Sequence, residues 1–264
     1  MRRVEIFLGG TQKGGTSTLH AYLACHPQLS PPSVKEPHFF DDERRNWRNP
    51  DTVAYDALYA AGDKRRMRYD ATPIHGFWPP ALQRIREYNP DARLIFLFRD
   101  PFARAWSHWC MEWARGDETL PFDLAIRRGR LRLRDKPPLS PDLRVFSYVE
   151  RGYYGAQVLR ALTLFPREQM LFLKSEDFGR SHVATLARIA LFLGIAPFPD
   201  MPRLRENARP DVVYPIWPTA ADRALVRAEL AEDTALFARL TGLDISEWDG
   251  MIEGRAPECD AQSA

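Results

Sequence analysis

The chain has 264 residues, of which 45% are apolar and 27% charged, with a net charge of +2. That length suits one large domain or two small ones of the ordinary soluble globular class, with a core that needs no staples. The charge is too small to argue, by itself, for a nucleic-acid or membrane partner.

Cys25, Cys110 and Cys259 are scattered and odd in number, which fits a reducing compartment with neither a disulfide framework nor a CxxC site. The six histidines form no HxxxH or HExxH pair, so no protein-held metal is expected. No apolar run approaches the roughly 20 residues that cross a bilayer. The first predicted strand begins at Val4 and leaves no room for a signal peptide. A cytoplasmic location with no membrane span is the resulting expectation.

In chain order, Val4–Leu8 is an unbroken apolar-rich run flowing into glycines, which predicts a buried parallel strand. Thr16–Cys25 follows as a helix with Leu19, Tyr22 and Leu23 on one face, stopped by His26-Pro27. "RLIFLF", Arg93–Phe98, is the clearest buried strand. Asp100-Pro101 then supplies an N-cap and a first-turn proline for a helix to about Arg115. The pattern predicts a helix over Phe146–Leu164, a strand over Gln169–Lys174, a helix over Ser181–Leu193 stopped by Gly194, and a helix over about Ala220–Leu240 ending at Gly242.

Arg134–Arg144 and Ile195–Pro218, rich in proline, read as loops, the second long enough to act as a lid. "RRGRLRLR", Arg127–Arg134, reads as a solvated helix face. The tail after about Gly250 is small and polar. The fold class predicted is α/β: a single P-loop-like domain over residues 1–250 and a flexible tail over 251–264. Its central parallel sheet has about five strands and is flanked by helices on both faces.

"FLGGTQKGGTSTLHAYL", Phe7–Leu23, joins the first strand to the first helix. A nucleoside-triphosphatase loop reads G-x-x-x-x-G-K-[ST]. Gly9 and Gly14 keep that frame and Thr16 keeps the hydroxyl, but Gly15 stands in the lysine position and the lysine is Lys13. The strand–loop–helix unit is an anion site, because the first-turn amides have no partner and the helix dipole is positive there. Gly14 and Gly15 permit close approach, and Thr16, Ser17 and Thr18 add hydroxyl donors. A lysine inside the loop lies beside the bound group, which suits one cleavable bond and no triphosphate. Arg99 ends the central strand and Ser107 follows eight residues later. They form a second phosphate site at the same sheet edge, unless Arg99 simply pairs with a carboxylate such as Asp100. Two sites imply a nucleotide phosphorylated at two positions.

"TQKGGTSTL" and "RDPFARAWSHW" resemble the 5′-phosphosulfate and 3′-phosphate segments of sulfotransferases that use 3′-phosphoadenosine 5′-phosphosulfate (PAPS). "KEPHFFD", Lys35–Asp41, resembles the acceptor-side motif of the heparan sulfate type, and "FPREQMLFLKSEDF" and "LFLGI" resemble later segments. The resemblance covers Val4 to Trp248. It implies that Lys13 contacts the bridging oxygen of the donor and that Gly14 to Thr18 cradle its 5′-phosphosulfate. It further implies that Arg99 and Ser107 hold the 3′-phosphate and that Glu36 is the catalytic base, with His38 and Asp41 beside it. The counterpart of a K-G-R loop that closes on the donor is "NAR", where Asn207 and Arg209 remain and the lysine is lost. A lysine often found before Thr-Pro is Ala71 here, and the disulfide of secreted-pathway relatives has no counterpart.

Those departures weigh against a polyanionic glycan. A small-molecule, lipid or saccharide hydroxyl or amine is the acceptor expected. Arginine richness suggests a bacterial enzyme. Two other readings stay open: a P-loop small-molecule kinase using ATP and magnesium, and a non-catalytic nucleotide- or RNA-binding protein using Arg127–Arg134. The first reading expects no metal and no nucleic-acid partner. Trp47, Trp78, Trp106, Trp109 and Trp113 either line a flat apolar pocket or fill the core.

Overall fold

A computed structural model describes residues 2–59, 66–204 and 212–250. Its strands are β1 (Ile6–Gly10), β2 (Leu29–Ser30), β3 (Met67–Asp70), β4 (Arg93–Phe98) and β5 (Met170–Lys174). They form one five-stranded sheet in the order β2-β3-β1-β4-β5, with every neighbouring pair parallel. The larger helices are α1 (Thr16–Ala24), α3 (Ala81–Tyr88), α4 (Pro101–Arg115), α8 (Tyr154–Leu164), α10 (His182–Leu193) and α11 (Ala220–Thr241). Shorter ones are α2 (Thr52–Asp56), α5 (Phe122–Ala125), α6 (Leu131–Arg134), α7 (Pro141–Phe146), α9 (Ser175–Arg180) and α12 (Glu247–Gly250). The α/β class and the five-stranded parallel sheet are as expected.

Alternation along the strands sends side chains to both faces. Phe7, Leu94, Phe96, Phe98 and Phe172 pack with Leu82 and Ile85 of α3, Val158 of α8 and Phe237 of α11. On the other face Ile6, Leu8, Ile95, Leu97 and Leu173 pack with Leu19 and Leu23 of α1 and Leu186 and Ile189 of α10. A third cluster joins α4 to α5, with Trp106 and Trp109 stacked at 5.0 Å against Phe122. Trp78, Trp106 and Trp109 are thus core residues.

The chain leaves β1 for one side of the sheet, returns through β3, then crosses to β4 on the other side. The carboxyl ends of β1 and β4 therefore lie side by side where successive connections diverge, the place at which open α/β sheets bind ligands.

Several local features depart from expectation. β1 lies two residues later than predicted. β2 and β3 are too short to announce themselves, at two and four residues. The helix predicted over Phe146–Leu164 is broken: α7 ends at Phe146, a single 3-10 turn covers Glu150–Gly152, and α8 starts at Tyr154. The cause is tertiary. The Asp233 carboxylate of α11 accepts from Gly155 N at 2.7 Å and Ala156 N at 2.8 Å, capping the amides that a continuous helix would have used internally. α7 also occupies the end of the loop predicted over Arg134–Arg144, starting at Pro141.

Three arginines of the basic run are held in ion pairs, while Arg128 and Arg134 are exposed. Arg127 pairs with Asp222 at 2.6 Å, Arg130 with Glu150 and Glu229 at 2.7 and 2.8 Å, and Arg132 with Glu118 at 2.7 Å. No regular element lies in 195–204 or 212–218, as the proline content implied. Asn207, Arg209 and the tail from 251 lie outside the described residues. Among the described residues no helix is long and apolar enough to cross a membrane.

Candidate functional site

The loop after β1 is built by backbone hydrogen bonds. Thr11 N donates to Leu97 O at 2.9 Å, and Gly14 N donates to Thr11 O at 2.9 Å. A Cβ on Gly14 would sit 2.5 Å from Leu97 O, so only glycine lets the loop lie against β4. Its amide is committed to the loop itself. Gly15 caps α1 with φ 91°, and no side chain caps that helix. The amides of its first turn are therefore available to an anion. Lys13 has φ 68°, a conformation a non-glycine residue adopts at a cost of roughly 1–3 kcal/mol and that its surroundings must impose.

A cleft of about 570 Å³ opens at this edge. It is lined by Lys13, Gly15, Thr16, Ser17 and Thr18 from the loop and α1, by Glu36, and by Arg99 and Ser107 from the end of β4 and from α4. The structure thus brings most of the sequence-predicted site residues into one cavity. Gly14 and His38 are not among its lining residues. A second hollow, of about 500 Å³, lies at the opposite, amino-terminal edge against Arg2, Arg3 and Asp91, away from the loop.

Arg99 is tied to the loop, and Asp100 to the start of α4. Arg99 Nη1 donates to Lys13 O at 3.1 Å, whereas Asp100 caps α4 by accepting from Ala103 N at 2.6 Å. Burial, and after it the charges of Arg115 and Arg99, lower the pKa of the Lys13 ammonium. The three cations make the cleft an electropositive hollow in which an anion is favoured.

Beside the loop runs a chain of charged contacts. Glu36 has φ 55° and His38 φ 51°. His38 Nε2 is 3.7 Å from Glu36 Oε2, and its Nδ1 is 2.8 Å from Asp41 Oδ2. The bonds to Asp41 and then Glu36 raise the His38 pKa to about 9, so the ring is an imidazolium at neutral pH. Burial opposes ionisation of Glu36, but the His38 hydrogen bond and the Lys35 charge outweigh it and hold the carboxyl below its ordinary value. Burial likewise opposes Asp41, and there His38, His75 and Arg144 prevail. Arg144 Nη1 donates to Asp41 Oδ2 at 2.7 Å, and its guanidinium lies 4.2 Å from the Trp78 ring centre. Glu36 is therefore an ionised carboxylate at the cleft wall, as a proton acceptor must be.

Sequence reasoning left out several participants. Lys35 Nζ donates to Ser17 Oγ at 2.6 Å and lies 3.3 Å from Glu36 Oε1, tying the first turn of α1 to Glu36; its place in "KEPHFF" was the available signal. Arg115 lines the cleft eight residues beyond Ser107 on α4, and helical spacing could have found it. Arg144 stands 103 residues from Asp41, and nothing local announces it. Among the described residues no cluster of three His, Cys, Asp or Glu could hold a metal ion.

The family model described as sulfotransferase domain matches residues 3–203. Mouse heparan sulfate glucosamine 3-O-sulfotransferase 6 is 28% identical over 195 residues, covering 72% of this chain and 52% of that protein. Bovine bifunctional heparan sulfate N-deacetylase/N-sulfotransferase 2 is 25% identical over 211 residues, covering 75% of this chain and 22% of that protein. This chain spans about half the length of the first relative and less of the second. The crystal structure of a sulfotransferase from Alicyclobacillus acidocaldarius superposes with a TM-score of 0.76 at 29% identity, covering 94% of this chain and 100% of that one.

Proposed function

Because the chain belongs to the sulfotransferase-domain family, we propose that it moves a sulfuryl group from PAPS to a hydroxyl or amine of an acceptor. The observation that carries this reading is one cleft that holds a loop lysine, an uncapped helix start, the Arg99–Ser107 pair and an ionised carboxylate. PAPS, when bound, supplies a sulfuryl group on a phosphosulfate anhydride. The α1 amides with Thr16, Ser17 and Thr18 would receive its 5′ end, and Arg99 with Ser107 its 3′-phosphate. Asn207 and Arg209 are further contacts on the resemblance alone.

Each residue then has one task. Glu36 accepts the proton of the acceptor hydroxyl, and His38, held by Asp41, keeps Glu36 charged and aimed. Lys13 offsets the negative charge that grows on the departing oxygen. Alignment of donor and acceptor by the cleft walls supplies the rest, as in phosphoryl transfer.

For the acceptor we propose a small molecule, lipid or saccharide. The relatives named for heparan sulfate support a saccharide. Against a polyanionic one stands Ala71, which is 1% exposed and offers no cation. Cys110, Met111 and Tyr214 give the cleft an apolar wall. A cytoplasmic location accompanies this proposal. No observation favours ATP chemistry, since the lysine position after Gly14 holds Gly15. None favours RNA, since Arg127, Arg130 and Arg132 are already ion-paired.

Titration calorimetry with adenosine 3′,5′-bisphosphate (PAP) against ATP tests the reading. Tight PAP binding without magnesium, and weak ATP binding with it, is the expected outcome. The reverse order of affinities would overturn it.

A further inference from the structure

Gln12 directly precedes Lys13 and lines the same cleft. Its side-chain oxygen accepts a 2.6 Å hydrogen bond from Arg151 Nη1, 139 residues along the chain. Arg151 is 3% exposed. Its Nε donates to Ser147 Oγ at 2.9 Å and its Nη2 to the Arg144 carbonyl at 2.8 Å. The guanidinium lies 4.8 Å from the Phe77 ring centre.

All three of these hydrogen bonds end on neutral oxygens. Burying a guanidinium on such acceptors is unfavourable. Burial, and then the charge of Arg104, pull the Arg151 pKa down to about 9. Arg151 is thus an expensive way to fill space between α7 and the sheet edge, and a methionine would do that better. What only a planar fork with several donors achieves is simultaneous hold on three separate points. One of them is the residue next to the loop lysine. Another is the main chain of Arg144, whose own side chain grips Asp41.

The Lys13 main chain gives the reason for such a hold. At φ 68° it is in a conformation that lysine leaves unless neighbours prevent it. Arg99 restrains it from one side through Lys13 O, and the Gln12–Arg151 bond restrains it from the other.

We infer that Arg151 is a positioning residue for sulfuryl transfer, which through Gln12 fixes the loop conformation that keeps the Lys13 ammonium in the donor cleft. The inference rests on the function proposed above. Arg151 acts through Gln12, so the two side chains must be energetically coupled in donor binding, which a merely structural Arg151 would not require.

The test is a double-mutant cycle with PAP as the probe, read by calorimetry, with thermal melting run alongside. Gln12→Ala is expected to bind PAP about 10-fold more weakly, the scale of one charge-assisted hydrogen bond, and to melt somewhat lower because it leaves a buried Arg151 donor unpaired. Arg151→Met is expected to weaken PAP at least as much. Arg151→Lys, which keeps one donor of the fork, should fall between wild type and Arg151→Met. The double variant Gln12→Ala/Arg151→Met should bind within about 3-fold of Arg151→Met alone, because the shared interaction is lost only once. A double-variant loss equal to the product of the two single losses would overturn the inference, and so would wild-type affinity in Gln12→Ala. Should Arg151→Met fail to fold, Arg151→Lys takes its place in the cycle, and additive losses with Gln12→Ala would again overturn the inference. A wild-type chain that does not bind PAP would sink the sulfotransferase proposal and this inference with it. Wild-type PAP binding that is indifferent to Gln12 would sink only the inference.

Discussion

Lys13, Glu36 and His38 share an unusual property: each is a non-glycine residue at positive φ, and each faces or backs the cleft. Strained backbone concentrates where a side chain must be aimed. If Lys13 stabilises the departing oxygen, Lys13→Ala should lower turnover about 10²–10³-fold, the usual consequence of removing one transition-state donor. PAPS consumption under saturating acceptor measures it. Glu36→Gln should nearly abolish transfer while PAP affinity stays at the wild-type value; undiminished turnover would remove Glu36 from the base role. His38 carries a pH prediction. Its pKa of about 9 lies above the ordinary 6.5, so its ion pairs with Asp41 and Glu36 stabilise the fold fully below pH 6.5 and are lost as pH rises through about 9. With 47% of the side chain exposed, solvent screens the effect. Melting wild type and His38→Gln from pH 6 to 10 should show a decline in that window for wild type alone. Parallel declines would assign the loss to other groups.

Elements obey the sequence where their ends are local and depart from it where the ends are set from afar. Asp100-Pro101 was legible as the start of α4 because cap and proline adjoin the helix, and the structure has both. Gly194 and Gly242 were legible stops, each at positive φ. The start of α8 was not, because its cap is Asp233 on α11. Asp233→Ala should therefore destabilise the fold by about 0.5–2 kcal/mol, the range for a lost N-cap, as read from chemical denaturation. A loss near zero would show that water caps the helix equally well. The ion pairs of Arg127, Arg130 and Arg132 were hidden for the same reason. Their carboxylates are Glu118, Glu150, Asp222 and Glu229, and two of those four lie nearly a hundred residues away.

For the whole molecule the decisive feature is that β1 and β4 are neighbours. Two loops distant in sequence are thereby set side by side at one cleft, which the proposed function assigns to the two anions of a bisphosphorylated nucleotide. A ligand contacting both halves should stabilise the entire fold. PAP at 100 times its Kd should add about 2.7 kcal/mol by linkage, visible as a raised melting temperature, and 3′-dephosphorylated nucleotide should add much less. Arg99→Ala should erase most of that difference; equal weakening of both nucleotides would refute the 3′-phosphate assignment. We further expect residues 1–250 to be the functional unit. Ending the chain at 250 should leave PAP affinity and melting unchanged, and a large change in either would place the last residues within the working domain.

The sequence by itself determined the fold class, and it made legible the glycine loop after β1, Arg99, Ser107 and Glu36, which the fold gathers at one cleft. Each of these is written in adjacent residues: an apolar run, a glycine turn, a proline after a capping aspartate. Only the tertiary structure decided which arginines are consumed in ion pairs, that His38 sits charged between two carboxylates, and that Arg144 and Arg151 reach back to Asp41 and Gln12. The reason is physical. Backbone geometry and burial follow local pattern, whereas the partner of a charge is chosen by distance in space, which chain order does not record.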